Sequence, residues 1–264
     1  MFLAVDIGNT NVVIGLFKDT RLAARWRLAT VRDRMPDEWW VDLVVLSQTQ
    51  GLNLAEIEAA ALASVVPPLT RVFTELLLER LGIEPLIVNG ERHVGLPLRV
   101  ENASEVGADR ICNALGAIER YGAPVIVVDF GTGTTFDVVD DSGAYVGGAI
   151  APGILVAFEA LTQRAARLFT VALEPPERAI GRNTRESLRI GTLLGYAELV
   201  RGLIRRIREE LGYPAPVVAT GGLASLVAPL VPEFHAVEPD LTLHGLRIAY
   251  YRAQERSGPP SSSW

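Results

Sequence analysis

The first hydrophobic stretch of the chain is cut once by small polar residues. An apolar run over 2–5 leads to Asp6, Gly8 and Asn9 interrupt the pattern, and a second apolar run covers 12–17. Two short apolar runs separated by turn-forming residues predict a β-hairpin. We therefore expect a carboxylate, that of Asp6, beside the tip of this hairpin.

The hairpin tip has two interpretations from its residues alone. Small residues leave backbone N–H groups open to an oxygen-rich ligand, and Asp6 would then hold a metal ion or its water shell beside a phosphate. In an ordinary turn, Asp6 and Asn9 would only hydrogen-bond the backbone. Because Asp, Gly and Asn are common turn residues, the stretch by itself favours the ordinary turn.

Strand and helix patterns alternate after the hairpin, which indicates an α/β layer architecture. The predicted strands cover 21–30, 59–66 and 85–88, and the predicted helices cover 36–50 and a segment from Val72 that ends at Gly82. Further along, apolar positions over 105–118 share one helical face and leave Asp109 and Arg110 near the helix start. These two residues could form a solvated ion pair, or a general base with an anion-binding neighbour.

The hairpin pattern returns nearly half a chain later. An apolar run over 125–128 precedes Asp129, small residues cover 131–134, and a second strand follows. An internal repeat of a supersecondary unit is much less expected by chance than one acidic turn, so the sequence predicts two similar α/β halves. Ligands bind such sheets near the carboxyl ends of the strands, which favours two phosphate-facing hairpins across one cleft.

The remaining patterns complete the second half. They predict a strand over 143–150, a helix from Pro152 to Arg164, a loop over 170–182, a helix over 184–211 capped by Asn183 or Thr184, a strand over 217–219, a glycine turn at 220–222, a helix from Leu223, a last helix over 243–251 and a disordered tail over 257–264. The apolar stripe of the long helix suits either the core or a dimer interface, with the core favoured.

Composition narrows the possible partners. The chain has 264 residues, 49% hydrophobic and 21% charged, with a net charge of −6, which provides no electrostatic footprint for nucleic acid. No apolar run reaches about 18 residues and no basic segment opens the chain, so we expect no membrane span, no signal peptide and a cytoplasmic location. We expect the single cysteine, Cys112, in the core. His93, His235 and His244 lack metal-ligand spacing and read as structural or surface residues.

Four short motifs in order carry a resemblance to a known family. They are Asp6-Ile-Gly-Asn-Thr10, Gly107-Ala-Asp-Arg110, Asp129-Phe-Gly-Thr-Gly-Thr-Thr135 and Thr220-Gly-Gly222. With these, the chain resembles type III pantothenate kinases, of the superfamily of acetate and sugar kinases, Hsp70 and actin. The resemblance implies two ribonuclease H-like halves, with mixed sheets flanked by helices around a central ATP cleft. The corresponding limits are 1–115 and 116–255, with 256–264 as a disordered tail.

The resemblance also implies a reaction and its cofactors. The family transfers the γ-phosphoryl group of ATP to pantothenate and gives 4'-phosphopantothenate, the first step of coenzyme A biosynthesis. It requires Mg²⁺ and a monovalent cation, K⁺ or NH₄⁺. A homodimer with the active site near the interface is implied as well.

The resemblance assigns roles residue by residue. The implied ATP-binding residues are Asp6, Gly8, Asn9, Thr10, Asn11, Gly131, Thr132, Gly133, Thr134, Thr220, Gly221 and Gly222. The implied catalytic base is Asp109, and the implied pantothenate contacts are Val100, Gly107, Ala108, Asp109, Arg110 and Thr184, the last reaching the partner protomer's substrate. Asp6 would serve Mg²⁺ through water, and Asp129 would bind the monovalent cation.

Three positions depart from the family pattern. Gly133 stands where alanine is usual, Val100 where tyrosine is common, and Ala103 where proline is frequent. Val100 leaves two alternatives open: a catalytically weak regulatory or binding relative, and a kinase for another small hydroxyl acceptor.

Overall fold

The computed structural model describes residues 1–92 and 94–257, so His93 and the predicted tail from 258 onward lie outside the described residues. Two compact units are present: one comprises Met1–Gly116 with the helix Leu241–Ser257, and the other comprises Ala117–Asp240. The limits 1–115, 116–255 and 256–264 stay a prediction, although the chain is helical through Ser257.

In the described part of the first unit, five strands form one mixed sheet. They are β1 Phe2–Ile7, β2 Asn11–Lys18, β3 Arg21–Ala29, β4 Ala59–Ser64 and β5 Leu86–Ile87, in the order β3-β2-β1-β4-β5. β1 pairs antiparallel with β2 and parallel with β4. The helices are α1 Pro36–Thr49, α2 Pro67–Leu81, α3 Ala108–Tyr121, which runs on into the second unit, and α7 Leu241–Ser257.

The two faces of the first sheet are covered by different helices. Trp39 of α1 and Phe73 of α2 are fully buried in one core cluster with the alternate β1 residues Leu3, Val5 and Ile7. On the opposite face α7 packs on β1 and β4, and the ring of Tyr250 lies 5.3 Å from that of Phe2. Because side chains alternate along a strand, Asp6 shares the face of Phe2.

In the second unit the strands are β6 Val125–Phe130, β7 Gly133–Val139, β8 Tyr145–Pro152, β9 Val217–Thr220 and β10 Ala236–Val237, and the helices are α4 Ile154–Arg164, α5 Thr184–Leu211 and α6 Ala224–Val227. The predicted helix from Pro152 begins later than expected, because Pro152 ends β8 and Gly153 is the helix N-cap. The helix predicted from Leu223 is only one turn long.

The second sheet repeats the topology of the first. Its order is β10-β9-β6-β7-β8, so in each unit the first strand lies between an antiparallel second strand and a parallel fourth strand. This shared order confirms the predicted class of two ribonuclease H-like halves with mixed sheets and flanking helices.

The long helix α5 supplies much of the second core. Its residues Tyr196, Ala197, Val200 and Ile204 are buried against β6, β7 and β9, so the apolar stripe is core, as favoured from the sequence. The helix ends at Gly212, whose φ of +76° is the left-handed conformation that glycine adopts readily at a helix C-terminus.

Candidate active site

The tip of the first hairpin is open and is held from one side by the end of β3. The Gly8 N–H donates to the Asn11 carbonyl at 2.9 Å, which closes the turn. The Thr30 hydroxyl donates to the Gly8 carbonyl at 2.7 Å, and the Thr30 N–H donates to the Thr10 carbonyl at 3.0 Å. Asn9 and Thr10 are exposed. The turn is therefore rigid but accessible, and Thr30 is a supporting residue that the sequence pattern did not single out.

The negative charges of Asp6 and Asp109 both affect the pKa of one buried thiol, that of Cys112. Cys112 is fully buried in α3, as predicted for a core cysteine. Burial raises the pKa of Cys112, and the negative charges of Asp6 and Asp109 raise it further. Both carboxylates belong to the first unit, that of Asp6 near the end of β1 and that of Asp109 in the first turn of α3.

Asp109 occupies the first turn of α3 and is half-buried, as the helical pattern predicted. Its Oδ1 accepts the Arg110 N–H at 2.9 Å. A Cβ on Gly107 would stand 2.4 Å from the same oxygen, so a larger residue there would displace this carboxylate. The Gly107-Ala-Asp-Arg sequence thus places two half-buried residues, Asp109 and Arg110, side by side at the start of α3, next to the buried Ala108.

Val100 and Ala103 lie in the segment that leads into α3. Val100 is half-buried, and Ala103 begins a short 3-10 helix, Ala103–Glu105. Asn102 caps this helix by accepting the Ser104 N–H at 3.2 Å. The first position of a helix tolerates proline, so the frequent proline and the alanine found here suit the same backbone.

The tip of the second hairpin is held by backbone contacts. The Gly131 N–H donates to the Gly133 carbonyl at 3.0 Å, and the Gly153 N–H donates to the Thr132 carbonyl at 3.0 Å. A Cβ on Gly153 would stand 2.2 Å from that Thr132 oxygen. Gly153 is therefore a close-packing residue of this hairpin. The Pro-Gly pair after β8 was its only sequence signal.

The glycine turn after β9 lies directly beside Asp129. Thr220 is opposite Asp129 in the parallel ladder, and Gly221 follows with φ +89°. A Cβ on Gly221 would stand 2.4 Å from Asp129 Oδ1 and 2.6 Å from the Phe130 nitrogen. The structure thus brings together two predicted segments of the second unit, and Gly221 packs too closely against the Asp129 carboxylate to be replaced by a residue with a side chain.

Thr220 is fixed by a cluster that the sequence analysis missed. Its hydroxyl donates to the Glu238 carbonyl at 2.7 Å. The Glu238 carboxylate in turn accepts hydrogen bonds from Arg120 and from the Tyr121 hydroxyl. Burial, and then the Glu238 hydrogen bond, raise the pKa of Tyr121 to about 12. Glu238 lies more than a hundred residues from Arg120 and Tyr121 in the sequence, so no local pattern could reveal this cluster.

Thr134 and Thr184 differ in surroundings. Thr134 is fully buried on the core face of β7, close to Tyr196, whose hydroxyl donates to the Pro152 carbonyl at 2.5 Å. Burial raises the pKa of Tyr196, and the Thr134 hydroxyl opposes that rise. Thr184 is exposed as the first residue of α5. The N-cap is Asn183, which accepts the Glu186 N–H at 2.9 Å.

The described residues contain no cluster of side chains that could by itself coordinate a metal ion. Among residues 1–92 and 94–257, no three His, Cys, Asp or Glu side chains come together in a way that could hold a metal ion. His235 and His244 pack edge-on against Tyr121 and Phe17, as expected of structural histidines. Within the same described part, no helix is both long and apolar enough to cross a membrane.

Comparisons with known proteins agree with these motifs. The family model described as type III pantothenate kinase matches residues 2–206. A type III pantothenate kinase from Thermomicrobium roseum is 71% identical over 98% of this chain and 100% of its own length. One from Moorella thermoacetica is 50% identical over 96% and 99%.

Solved structures share the fold at low identity. The activator of the 2-hydroxyisocaproyl-CoA dehydratase from Clostridium difficile, solved with bound ADPNP, aligns with a TM-score of 0.59 at 13% identity over 99% of both chains. Component A of the Acidaminococcus fermentans (R)-2-hydroxyglutaryl-CoA dehydratase gives a TM-score of 0.57 at 14% identity, over 97% of this chain and 99% of its own. These likenesses support the actin-like fold alone. The family match over most of the sequence and the near-complete alignment at high identity show that the chain belongs to the type III pantothenate kinase family.

Proposed function

We propose that the chain transfers the γ-phosphoryl group of ATP to the primary hydroxyl of pantothenate and releases 4'-phosphopantothenate, the first step of coenzyme A biosynthesis. The observation that carries this proposal is the family match over residues 2–206, a span that includes the open hairpin tip after Asp6 and the half-buried Asp109 in the first turn of α3, the groups that would position phosphate and acceptor. Phosphoryl transfer needs little covalent chemistry from the protein, and such positioning supplies most of the catalysis.

In the first unit, the hairpin would bind phosphate through backbone N–H groups. Gly8, Asn9, Thr10 and Asn11 surround an open turn whose backbone can approach an anion. Asp6 provides one hard oxygen donor, as Mg²⁺ prefers, and Mg²⁺ commonly keeps waters and takes its other ligands from phosphates. Such a nucleotide-borne ion would be held by Asp6 through water.

In the second unit, residues 131–134 would contact the phosphates and Thr220–Gly222 the adenosine. Asp129 would hold the monovalent cation, K⁺ or NH₄⁺. Asp129 fits such an ion, because it offers carboxylate oxygens and because Gly221, which lacks a Cβ, does not displace Asp129 Oδ1. When bound, such a cation supplies positive charge that offsets the charge of the phosphates.

Asp109 would accept the proton of the pantothenate hydroxyl as the oxygen attacks the γ-phosphorus. Gly107 keeps its Oδ1 accessible, and the half-buried Arg110 beside it would bind the pantothenate carboxylate. Ala108 and Val100 would line the acceptor side. A carboxylate that orients and deprotonates a hydroxyl is the usual base in this reaction class.

A coupled assay with pantothenate, ATP, Mg²⁺ and K⁺ tests the proposal. We expect Asp109→Asn to lower kcat by about 10²-fold or more, because removing a general base costs that much, with an unchanged thermal unfolding curve. The matched control is Glu119→Gln, an exposed acid on the same helix. Equal turnover of Asp109→Asn and the unaltered chain would contradict the assignment, and no turnover by either would favour the regulatory alternative.

Val100 favours a second candidate, a kinase for another small hydroxyl acceptor. A branched aliphatic side chain stands where the family commonly has a phenol, so a hydrogen-bond donor to the acceptor is lost. A screen of small alcohols at fixed ATP tests this. A higher kcat/KM for any of them than for pantothenate would replace pantothenate as the substrate.

We also propose a homodimer in which Thr184 reaches the partner protomer's pantothenate, and a cytoplasmic location. Large exposed apolar side chains of the second unit support the dimer, since they offer apolar surface to a partner. Between residues 150 and 180 they are Ile150, Leu155, Val156, Leu161, Phe169 and Ile180. Sedimentation analysis should find twice the chain mass, and Ile180→Glu should shift it toward the monomer. A monomer at micromolar concentration would contradict the dimer.

A further inference from the structure

A fully buried carboxylate in the second unit has no part in the function described above. Asp137 lies in the middle of β7 and has no solvent exposure. Burying a charge is costly unless hydrogen bonds and partners compensate for it. A carboxylate in this position therefore needs a compensating structure, and the contacts of Asp137 show what that structure is.

Asp137 accepts one hydrogen bond at each carboxylate oxygen. The hydroxyl of Tyr145, buried on the neighbouring strand β8, donates to Oδ1 at 3.0 Å. The hydroxyl of Thr135 donates to Oδ2 at 2.9 Å. The two donors come from different strands, so Asp137 fixes both side chains at once.

Thr135 connects this network to the candidate cation site. It lies directly opposite Asp129 in the antiparallel ladder of β6 and β7, and side chains of directly opposed residues are nearest neighbours on one face of a sheet. Asp137, two residues further along β7, is on that same face. The carboxylates of Asp129 and Asp137 are thus on one face, with the Thr135 hydroxyl as the group that links them.

A threonine hydroxyl has one proton and two acceptor lone pairs. Because the Thr135 proton is donated to Asp137, the oxygen of Thr135 is left as an acceptor. An oxygen fixed in this way beside a carboxylate suits a hard monovalent cation, which takes oxygen ligands only. If the proton were instead directed at the cation, the same hydroxyl would oppose binding.

We propose that Asp137 is a positioning residue for the monovalent cation: it holds the Thr135 hydroxyl as an acceptor beside Asp129, and Tyr145 holds Asp137. The inference rests on the proposed function, because it deepens the role of Asp129. Asp137 would thus make the site select a cation over a water molecule without contacting the cation itself.

The test uses the full chain and three conservative variants: Asp137→Asn, Thr135→Val and Tyr145→Phe. The control is Asp141→Asn, an exposed acid in the β7–β8 turn. Two quantities are measured: the K⁺ concentration that gives half-maximal rate, and the rise in Tm when potassium chloride replaces tetramethylammonium chloride at equal ionic strength, with a non-hydrolysable ATP analogue present.

We expect Asp137→Asn and Thr135→Val each to raise the half-saturating K⁺ concentration by about tenfold, and the K⁺-induced rise in Tm to shrink, because each removes a fixed acceptor oxygen. In the double variant, which combines Asp137→Asn with Thr135→Val, the half-saturating K⁺ concentration should be no higher than in Thr135→Val, since both changes act through one oxygen. Tyr145→Phe should raise the half-saturating K⁺ concentration by a smaller factor, about threefold, with kcat at saturating K⁺ preserved.

Three outcomes would overturn the proposal when Asp137→Asn folds, and a fourth applies when it does not. One is a folded Asp137→Asn with unchanged K⁺ dependence, while the unaltered chain still requires K⁺; this leaves the proposed function standing. Another is a double variant in which the increases in half-saturating K⁺ concentration of the two single variants combine in full. The third is an unaltered chain that turns over equally in potassium and tetramethylammonium, which removes the cation from the proposed function as well. Where Asp137→Asn does not fold, unchanged K⁺ dependence in both Thr135→Val and Tyr145→Phe overturns it.

Discussion

The two hairpins share a strand order but differ in what supports them. Behind Asp6, the opposed β2 residue is Val13, and two positions further Gly15 packs against the α7 side chain of Leu243. At the matching places of the second unit stand Thr135 and Asp137. The repeat thus preserves the backbone of a phosphate-type turn, while the face behind it is apolar in one unit and hydrogen-bonded in the other.

The tips of the hairpins differ as well. The first is held by Thr30, through its side-chain hydroxyl as well as its backbone N–H, and the second by close backbone packing at Gly153 and Gly221. A side-chain support tolerates small shifts, because a rotamer can adjust. Backbone packing without a Cβ does not. The second hairpin is therefore the more rigid and the more easily damaged by substitution.

The largest effect should come from placing a carboxylate at Gly15, the position of the first unit that matches the buried Asp137 of the second. Gly15→Asp would place a carboxylate at a position where even a Cβ meets Leu243 at 2.9 Å. We expect a loss of about 4 kcal/mol or more in unfolding free energy, because the charge would be buried without donors. Urea unfolding measures it. Gly195→Asp, with open space around its Cβ position, is the control, and equal losses in both variants would contradict this explanation.

A crossed metal titration separates the two carboxylates. Asp6→Asn should raise the Mg²⁺ requirement and leave the K⁺ requirement unchanged, and Asp129→Asn should do the reverse. About tenfold is expected in each case, since each variant loses one charged ligand. Replacing K⁺ with Na⁺ should sharply reduce the activity of the unaltered chain. If both variants changed both requirements alike, the hairpins would not have distinct cation roles.

Single methyl groups at the two tips should have unequal effects. Gly221→Ala forces a side chain into φ +89° and against Asp129, and we expect a loss of about 1–3 kcal/mol together with a raised KM for ATP. Gly8→Ala places its Cβ 3.2 Å from the Asn11 carbonyl, so only a few tenths of an ångström must be accommodated. Thermal melts and nucleotide titrations compare the pair. A greater loss in Gly8→Ala would reverse the predicted order of rigidity.

The smallest effect concerns the cluster beneath Thr220. The pKa of Tyr121 is raised to about 12 from an ordinary value near 10, so its contribution to stability is complete below pH 10 and falls as pH rises toward 12. A spectrophotometric titration of tyrosine should lose one group that ionises near pH 12 in Tyr121→Phe. Arg120→Lys, which retains the positive charge beside Glu238, should keep that group. An unchanged titration in Tyr121→Phe would assign the late ionisation elsewhere.

Much of this architecture follows from local patterns. Alternating apolar runs around Asp6 and Asp129 were sufficient to predict both hairpins, since strand period and turn residues are properties of a few adjacent positions. The buried stripe of α5 was equally visible. The start of α3 at Asp109 followed from helical periodicity.

The remaining features depend on distant pairs. Nothing near Thr220 indicates Glu238 or Tyr121, and nothing near Thr132 requires Gly153 until β8 returns beside it. The sequence analysis did not single out Asp137, and only the position of Tyr145 on the adjacent strand shows how its charge is accommodated. The beginning of α4 was misplaced because Pro152, which can open a helix, instead closes a strand.

The return of α7 to the first sheet has a consequence for how the chain folds during synthesis. The second unit is one continuous segment and is complete once residue 240 has left the ribosome, whereas β1 and β4 must wait for α7 to cover their second face. The half made first is therefore the half finished last. Until then the exposed apolar residues of that face, Phe2 and Ala4 among them, are surface that the nascent chain has to keep away from other proteins.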